Sequence, residues 1–395
     1  MQRKNKRCYL IFSIPAHGHT NPLLVIAQEL VKRGHKVYFY STKEFEGKIK
    51  NSGALFLAYP DVTPIDLRFA KYGVFLARRL IALADEFIEK IAISENIDCI
   101  IHDSIAPWGK VIALRNTISA VSVSTTLILT KKVLFNYVSF NKLLILDFLK
   151  NGIGAYMSYR KFLKKHNMHY IGFDEIFLNR EKVNLILTAK IFQPESPSFD
   201  ESFFFVGPQI SSRIDKDTLV TTLKNVKEYI YISLGTIHNN DIDFFNTCIS
   251  ALGNTTYTIL LAIGNHFTHR DLENIPSNFI IRAHLPQLDI LKKAKLFITH
   301  AGMNSIMESL YYGVPMVMVP QMTEQYINAR RIHELGAGIV IDKKNLTKES
   351  LRFAVNKILH TSSYKEEVEK LRKELHDAGG YKRTVDILET YPFTK

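Results

Sequence analysis

Short apolar runs of β-forming residues alternate with segments of helical spacing twice over along this chain, and that alternation leaves few folds open. In the first half, residues 8–14 form a run that stops at Pro15. Residues 22–32 then place Leu23, Ile26, Ala27, Leu30 and Val31 on one helical face ahead of Gly34. Residues 36–41, 54–58, 98–102 and 119–123 read as further strands, and 65–93 as a long helix interrupted near Gly73. In the second half, strands are expected at 228–233, 257–262, 279–282, 296–299 and 315–319. Helices are expected near 243–252, 287–293, 304–312, 325–335, 348–359, 364–378 and 381–391. Strand, helix, strand in repetition builds a parallel sheet with right-handed crossovers. A chain of 395 residues has room for two such units. The expected class is α/β, with two doubly wound Rossmann-like domains facing across a cleft and the ligand beyond the C-terminal strand ends.

The expected boundaries are 1–207 for the first domain, 208–378 for the second, and 379–395 for a C-terminal helix packing back on the first. Residues 193–198 read Gln-Pro-Glu-Ser-Pro-Ser, the composition of an interdomain crossing, and Gly207-Pro208 closes it. Residues 125–172 are apolar, aromatic and Lys-rich. They suit a packed helical hairpin, a lid over an acceptor, or a face that touches a membrane.

Hydrophobic residues make up 46 % of the chain and charged residues 23 %, a globular balance that excludes a disordered polymer. The basic residues 3–7 and the apolar run after them imitate a secretory signal. That run is too short to span a bilayer, and it breaks at once into His17-Gly18-His19. Cys8, Cys99 and Cys248 form no CxxC pair and no disulfide framework, which favours a cytoplasmic location. The net charge is +13, and the first 200 residues hold 28 of the 51 Lys+Arg but 17 of the 38 Asp+Glu. This surplus suits an acidic acceptor, an anionic membrane surface, or solubility alone. No helix-turn-helix, zinc-finger or RNP signature is present, so nucleic acid is not an expected partner.

The densest chemical signal lies between residues 284 and 325. Thr299-His300-Ala301-Gly302-Met303-Asn304-Ser305 follows a strand and opens a helix. Such a junction turns free backbone N–H groups and a positive dipole end toward one spot, which suits an anion. His300, Asn304 and Ser305 add side-chain donors there. Glu308 lies one turn further along Asn304's face, where a carboxylate can accept from a ribose diol. Singly, Asn304 or Ser305 could merely cap the helix and Glu308 could be a solvated residue. Together they read as a diphosphate-and-ribose site built without a metal.

A second signal ends the first strand. Residues 14–22 read Ile-Pro-Ala-His-Gly-His-Thr-Asn-Pro, with no GxGxxG. The motif delivers an imidazole to the expected cleft, and histidine titrates where a base for an alcohol is needed. Asp103 ends the strand at 98–102. Strand ends of one parallel sheet converge, so Asp103 can reach His19 and orient its ring. Its alternative reading is a helix cap ahead of Ile105.

The 284–325 stretch resembles the nucleotide-sugar signature of the family 1 glycosyltransferases, the UDP-glycosyltransferase superfamily with the GT-B fold. It is most similar to the bacterial macrolide glycosyltransferases. The resemblance covers nearly the whole chain and is weakest at 125–200. It implies an inverting hexosyltransferase that needs no cofactor beyond its UDP-sugar co-substrate and acts on a small hydrophobic, hydroxyl-bearing acceptor. It also implies that Gln287 contacts the base, His300 the diphosphate, Asn304 and Ser305 the phosphates, and Glu308 the ribose. By the same resemblance Glu324 and Gln325 hold donor-sugar hydroxyls, and the helix start Gly302-Met303-Asn304-Ser305, with His300, is expected to hold the charge developing on the leaving nucleotide. Ser233-Leu234-Gly235-Thr236 resembles a Gly-containing loop that approaches the phosphates. The second histidine of the 14–22 motif, His19, is the implied base, with Asp103 its orienting carboxylate.

Two positions depart from the family pattern. His284 stands where Trp usually stacks on uracil, and imidazole offers less stacking area. Glu324 stands where Asp usually begins the sugar-contacting pair, so the donor sugar stays open between glucose and others. Asp241-Ile242-Asp243 is a DxD, a manganese pattern elsewhere, but it precedes a helix where Asp belongs as a cap. His17, His19 and Asp103 could in principle ligate zinc, which a helix-bound diphosphate does not need. No metal is expected. The alternatives are a membrane-associated lipid or sterol glucosyltransferase, a TDP-deoxysugar enzyme, and a nucleotide-sugar-binding protein without catalysis. The presence of both His19 and Asp103 speaks against the last.

Overall fold

The computed structural model describes residues 6–60, 73–93, 95–128, 130, 133, 142–168, 179–211, 228–235 and 239–393. The chain forms two compact units, Met1–Ser211 with Ala378–Lys395, and Ser212–Asp377. Residues 193–198 therefore lie inside the first unit and not between units. Gln193 is buried there, its amide bonded to the Ile128 backbone through both its oxygen and its nitrogen.

The first unit is built on strands β1 (Cys8–Phe12), β2 (Lys36–Ser41), β3 (Leu55–Ala58), β4 (Cys99–Asp103), β5 (Ser119–Ser124), β6 (Asn184–Ile186) and β7 (Phe203–Phe205). They form one sheet in the order β3-β2-β1-β4-β5-β6-β7, every described pairing parallel. Its helices are α1 (His17–Lys32), α2 (Glu46–Asn51), α3 (Gly73–Lys90), α4 (Pro107–Arg115) and α5 (Lys142–Lys165). Alternate side chains of β1 feed two cores. Tyr9 and Ile11 pack with α1, while Leu10 and Phe12 pack with α3, α4 and α5 around Trp108. A sheet covered on both faces needs runs apolar on both faces, which is why β1 and β4 lack alternation.

The helix expected from Pro22 begins five residues earlier, at His17. Proline's fixed φ suits a helix, and near its start few ladder bonds are lost. Ala16 takes the N-cap position, and Thr20 N donates to its carbonyl at 2.8 Å. His19 consequently sits in a helical first turn, not in a free loop. The part of the expected 65–93 helix before Gly73 lies outside the described residues. So do residues 129, 131, 132, 134–141 and 169–172 of the 125–172 segment, in which α5 is the described helix.

The second unit contains β8 (Tyr229–Ser233), β9 (Thr258–Ala262), β10 (Phe279–Arg282), β11 (Leu296–Thr299), β12 (Met316–Met318) and β13 (Gly338–Val340), in the order β10-β9-β8-β11-β12-β13. Its helices are α6 (Ile242–Leu252), α7 (Gln287–Leu291), α8 (Met303–Tyr311), α9 (Thr323–Glu334), α10 (Lys348–His360) and α11 (Ser362–Asp377). The strand order reverses between β8 and β11, so the turns that follow them are neighbours. The last helix, α12 (Gly380–Thr390), packs on α1 of the first unit, burying Val385 and Leu388. Arg33 Nη1 donates to Asp386 Oδ1 at 2.5 Å and to Glu389 Oε2 at 2.9 Å, pinning the same contact. Among the described residues, no helix is long and apolar enough to cross a membrane.

Helix α5 is anchored to α3 by Ala155, Tyr159, Phe162 and Leu163, and by a polar junction at its end. Arg115 Nη2 donates to His166 Nδ1 at 2.7 Å, so the ring proton sits on Nε2, which donates to Asp85 Oδ1 at 2.7 Å. Burial pushes the His166 pKa down against the pull of Asp85, and the Arg115 guanidinium adds to the downward shift. Burial alone would raise the Asp85 carboxyl, but hydrogen bonds from Lys165 and His166 hold it below its ordinary range. With the folded His166 pKa below the unfolded one, the unfolded chain binds more protons between the two values. This junction's stability is therefore complete above about pH 6.5 and is lost as pH falls, with Asp85 adding a second loss in the carboxylate range. The denaturation midpoint read by Trp108 emission should fall as pH drops below that value, and His166→Gln should flatten the dependence.

Candidate functional site

In the first unit, β1 and β4 are paired neighbours with Phe12 opposite His102. The turn after β1 runs straight into α1, whose first turn carries His19. Asp103 is the last residue of β4. Their side chains meet, His19 Nδ1 standing 2.6 Å from Asp103 Oδ2. The Asp103 carboxylate is fully buried, while 18 % of the His19 side chain is exposed. The second carboxylate oxygen accepts from Ile105 N at 3.0 Å. Asp103 is not the helix cap of its alternative reading, because α4 begins at Pro107 with Ala106 at the N-cap and no side-chain cap bond. One carboxylate oxygen closes the turn at Ile105 and the other faces the imidazole. A carboxylate at 2.6 Å accepts a hydrogen bond from Nδ1–H, which leaves the ring lone pair on Nε2. Thr125 Oγ1, at the end of β5, lies 2.9 Å from the same Nδ1. Thr125 escaped sequence reading because it lies beyond the expected strand in a stretch with no motif.

His17 is turned elsewhere. Its Nε2 lies 3.1 Å from Glu44 Oε1 and its ring packs edge-on against Phe45. Of the three groups of the zinc reading, His19 and Asp103 meet each other while His17 is turned to Glu44. Among the described residues, no cluster of three His, Cys, Asp or Glu side chains gathers as a metal site. In the second unit, Asp241 caps α6, accepting from Phe244 N at 3.2 Å, and pairs with Lys343 at 2.6 Å.

The second unit assembles the junction at residues 299–305 as a walled turn. The His300 ring lies between two glycines. A Cβ on Gly235 would stand 2.6 Å from His300 Cε1, and one on Gly302 would stand 2.5 Å from its Nε2. Gly235 also has φ +75°, a left-handed conformation that suits glycine. Ala301 adopts φ +66° despite its Cβ, and buried Asn328 donates to its carbonyl at 3.2 Å. Gly302 is the N-cap of α8, with Met303, Asn304 and Ser305 in its first turn. Asn304 is half-buried, and Ser305 and Met303 are buried. Thr236 lies outside the described residues.

Glu308 is only 7 % exposed, and Gln287 Nε2 donates to its Oε2 at 2.7 Å. The same nitrogen stands 3.4 Å from Ser305 Oγ, and Tyr231 on β8 donates to Gln287 Oε1 at 3.2 Å. Burial raises the Tyr231 phenol far above its ordinary range, which keeps it a donor. Tyr231 was hidden in an apolar strand where a tyrosine reads as core. Gln287 therefore holds the Glu308 carboxylate in place. Glu324 Oε1 accepts from Asn328 Nδ2 at 3.2 Å. Gln325 Oε1 accepts from Gln321 N at 2.8 Å and Met322 N at 3.2 Å, so any ligand bond from this side chain falls to its amide nitrogen. His284 is exposed in the loop between β10 and α7.

A family model described as UDP-glucoronosyl and UDP-glucosyl transferase matches residues 224–381. The chain is 34 % identical over 393 residues to the NDP-glycosyltransferase YjiC of Bacillus licheniformis, with 96 % of each chain covered. It is 31 % identical over 387 residues to the NDP-glycosyltransferase YjiC of Bacillus subtilis, again with 96 % of each covered. Among solved structures, the glycotransferase of kitacinnamycin superposes with a TM-score of 0.82 at 26 % identity, covering 98 % of this chain and 99 % of that one.

The walled histidine makes a direct prediction. Gly302→Ala keeps an allowed backbone, since φ is −64°, but its methyl must displace the His300 ring. Calorimetric titration with UDP should show affinity falling by about tenfold or more, the loss of roughly one charge-assisted hydrogen bond, with far-UV circular dichroism unchanged.

Proposed function

Because this chain belongs to the family 1, UDP-dependent glycosyltransferases of GT-B fold, we propose that it moves a sugar from a UDP-sugar, probed first with UDP-glucose, onto a hydroxyl of a small apolar acceptor. The likeness to the glycotransferase of kitacinnamycin supports a natural-product acceptor, and the acceptor classes we propose are a macrolide, a polyketide or a phenolic. The free thiols of Cys8, Cys99 and Cys248 suit a cytoplasmic reaction.

The observation that carries this reading is the 2.6 Å contact between His19 and the buried Asp103 carboxylate. An alcohol is a poor nucleophile near neutral pH and needs a base as it attacks. His19 Nε2 takes the acceptor proton while the acceptor oxygen bonds to the anomeric carbon. Asp103 stabilises the imidazolium so formed, and Thr125 helps to fix the ring. The bond from the anomeric carbon to the UDP oxygen breaks on the opposite face. The negative charge on the departing diphosphate is met by the α8 N-terminal N–H groups and by His300. These donors do the work a metal would otherwise do. Glu308, held by Gln287, accepts from the ribose hydroxyls, His284 covers the base, and Glu324 with the Gln325 amide meets the sugar. One displacement inverts the anomeric centre, so an α-linked donor yields a β-glycoside.

Transfer from UDP-glucose to a phenolic acceptor panel, read by mass spectrometry, tests the mechanism. His19→Ala should lower turnover by about 10³-fold or more, the scale of losing a general base, while leaving UDP affinity within about twofold. Asp103→Asn should lower kcat by about 10²–10⁴-fold through loss of the oriented tautomer. EDTA should leave both UDP binding and turnover unchanged. Turnover by His19→Ala equal to that of the parent would sink the assignment of the base.

A further inference from the structure

Helix α5 is apolar on two opposite faces, and α3 covers one of them. Ala155, Tyr159, Phe162 and Leu163 are buried in the first unit's core. The opposite face carries Leu146, Leu149, Ile153, Tyr156 and Met157, at 50 %, 71 %, 79 %, 42 % and 66 % exposure. Their spacing of three and four residues makes one stripe on the helix surface, about 17 Å long at the helical rise. Five adjacent large apolar side chains on one face are not the scatter expected of an ordinary protein surface.

The cations on this helix follow the same spacing. Lys150, Arg160, Lys161 and Lys164 are exposed and lie along or beside the stripe. Lys165 is turned instead toward Asp85, at 2.8 Å. The helix is thus a basic amphipathic element whose wet face is apolar in the middle and cationic at the margin. It is also held rigidly, since its inner face is packed and its end is tied through Lys165 and His166 to Asp85. The first 200 residues, with 28 Lys+Arg against 17 Asp+Glu, add a basic background of the same sign.

We propose that this face of α5 docks the protein on an anionic lipid bilayer, the stripe lying in the interface plane and the lysines among the headgroups. A helix of this composition seats its apolar side chains roughly 5–10 Å into the headgroup–acyl boundary without spanning it. Each lysine near an anionic surface adds roughly fivefold in affinity. Charge also argues against a second copy of the chain as the occupant, because two such faces would bring like charges together. The inference is independent of the transfer reaction. It adds a place where an apolar acceptor dissolved in lipid would be met.

Sedimentation of the full chain with vesicles tests it, phosphatidylcholine alone against phosphatidylcholine mixed with phosphatidylglycerol. The protein should pellet with the anionic vesicles, and far less with the neutral ones. Ile153→Asp with Met157→Asp should weaken that binding by about tenfold or more. Both positions are exposed, so Trp108 emission should stay that of the folded parent. Lys161→Glu with Lys164→Glu should weaken it by about 25-fold or more at low salt, and raised salt should weaken the parent likewise. Four results would overturn the proposal: a parent that stays in the supernatant with anionic vesicles, equal pelleting with neutral ones, variants that pellet like the parent, or a lipid-free dimer that the Ile153→Asp, Met157→Asp variant dissociates, which would give the stripe to a second copy.

Discussion

All strands of a parallel sheet end at the same edge, so the residues that leave neighbouring strands are forced into contact. In the first unit this brings together α1, which leaves β1, and Asp103, which ends the adjacent β4. The 84 residues that separate His19 from Asp103 in the chain are irrelevant once β1 and β4 pair. Thr125 joins them from β5 for the same reason, one strand further along. In the second unit, β8 and β11 are the paired neighbours, Ser233 lying opposite Thr299. The turns after them put Gly235 against His300.

Burial gives these contacts their directionality. A carboxylate removed from water is costly unless hydrogen bonds satisfy it. Asp103 meets that demand with one backbone N–H and one imidazole, and Glu308 with the amide of Gln287. Each partner is thereby fixed in one orientation. Donors and acceptors held in this way need not reorganise when charge moves, the property that electrostatic catalysis uses. The glycines act through space rather than charge. Gly235 and Gly302 leave a slot as wide as one imidazole, and Ala301 takes up a left-handed conformation beneath it, held by Asn328.

The same packing logic separates the two faces of α5. Its inner face is needed to close the core around Trp108 and Phe87, and the polar junction at His166 fixes its register on α3. Its outer face contributes nothing to that core. An apolar surface that folding does not require is free to serve association.

Periodicity alone made the two-sheet architecture legible, because strands buried on both faces must be apolar runs and crossover helices must be amphipathic. The junction at 299–305 and the pairing of His19 with Asp103 were legible too, since strand–turn–helix order and parallel strand ends are properties of the chain's pattern. Short elements escaped it. β6 and β13 are three residues each and carry too little pattern to be told from loop, and Pro22 drew the start of α1 five residues too late. Residues 193–198 looked like a crossing between domains because proline and serine mark both linkers and ordered turns; burial of Gln193 decides between them. The sequence determined which residue types were available for the chemistry. Tertiary structure alone decided that Tyr231 and Gln287 would hold Glu308, that Thr125 would reach His19, and that Gln325 would spend its carbonyl on its own helix start. Such contacts depend on the distance between side chains brought together by packing, and no pattern of neighbours along the chain encodes a distance.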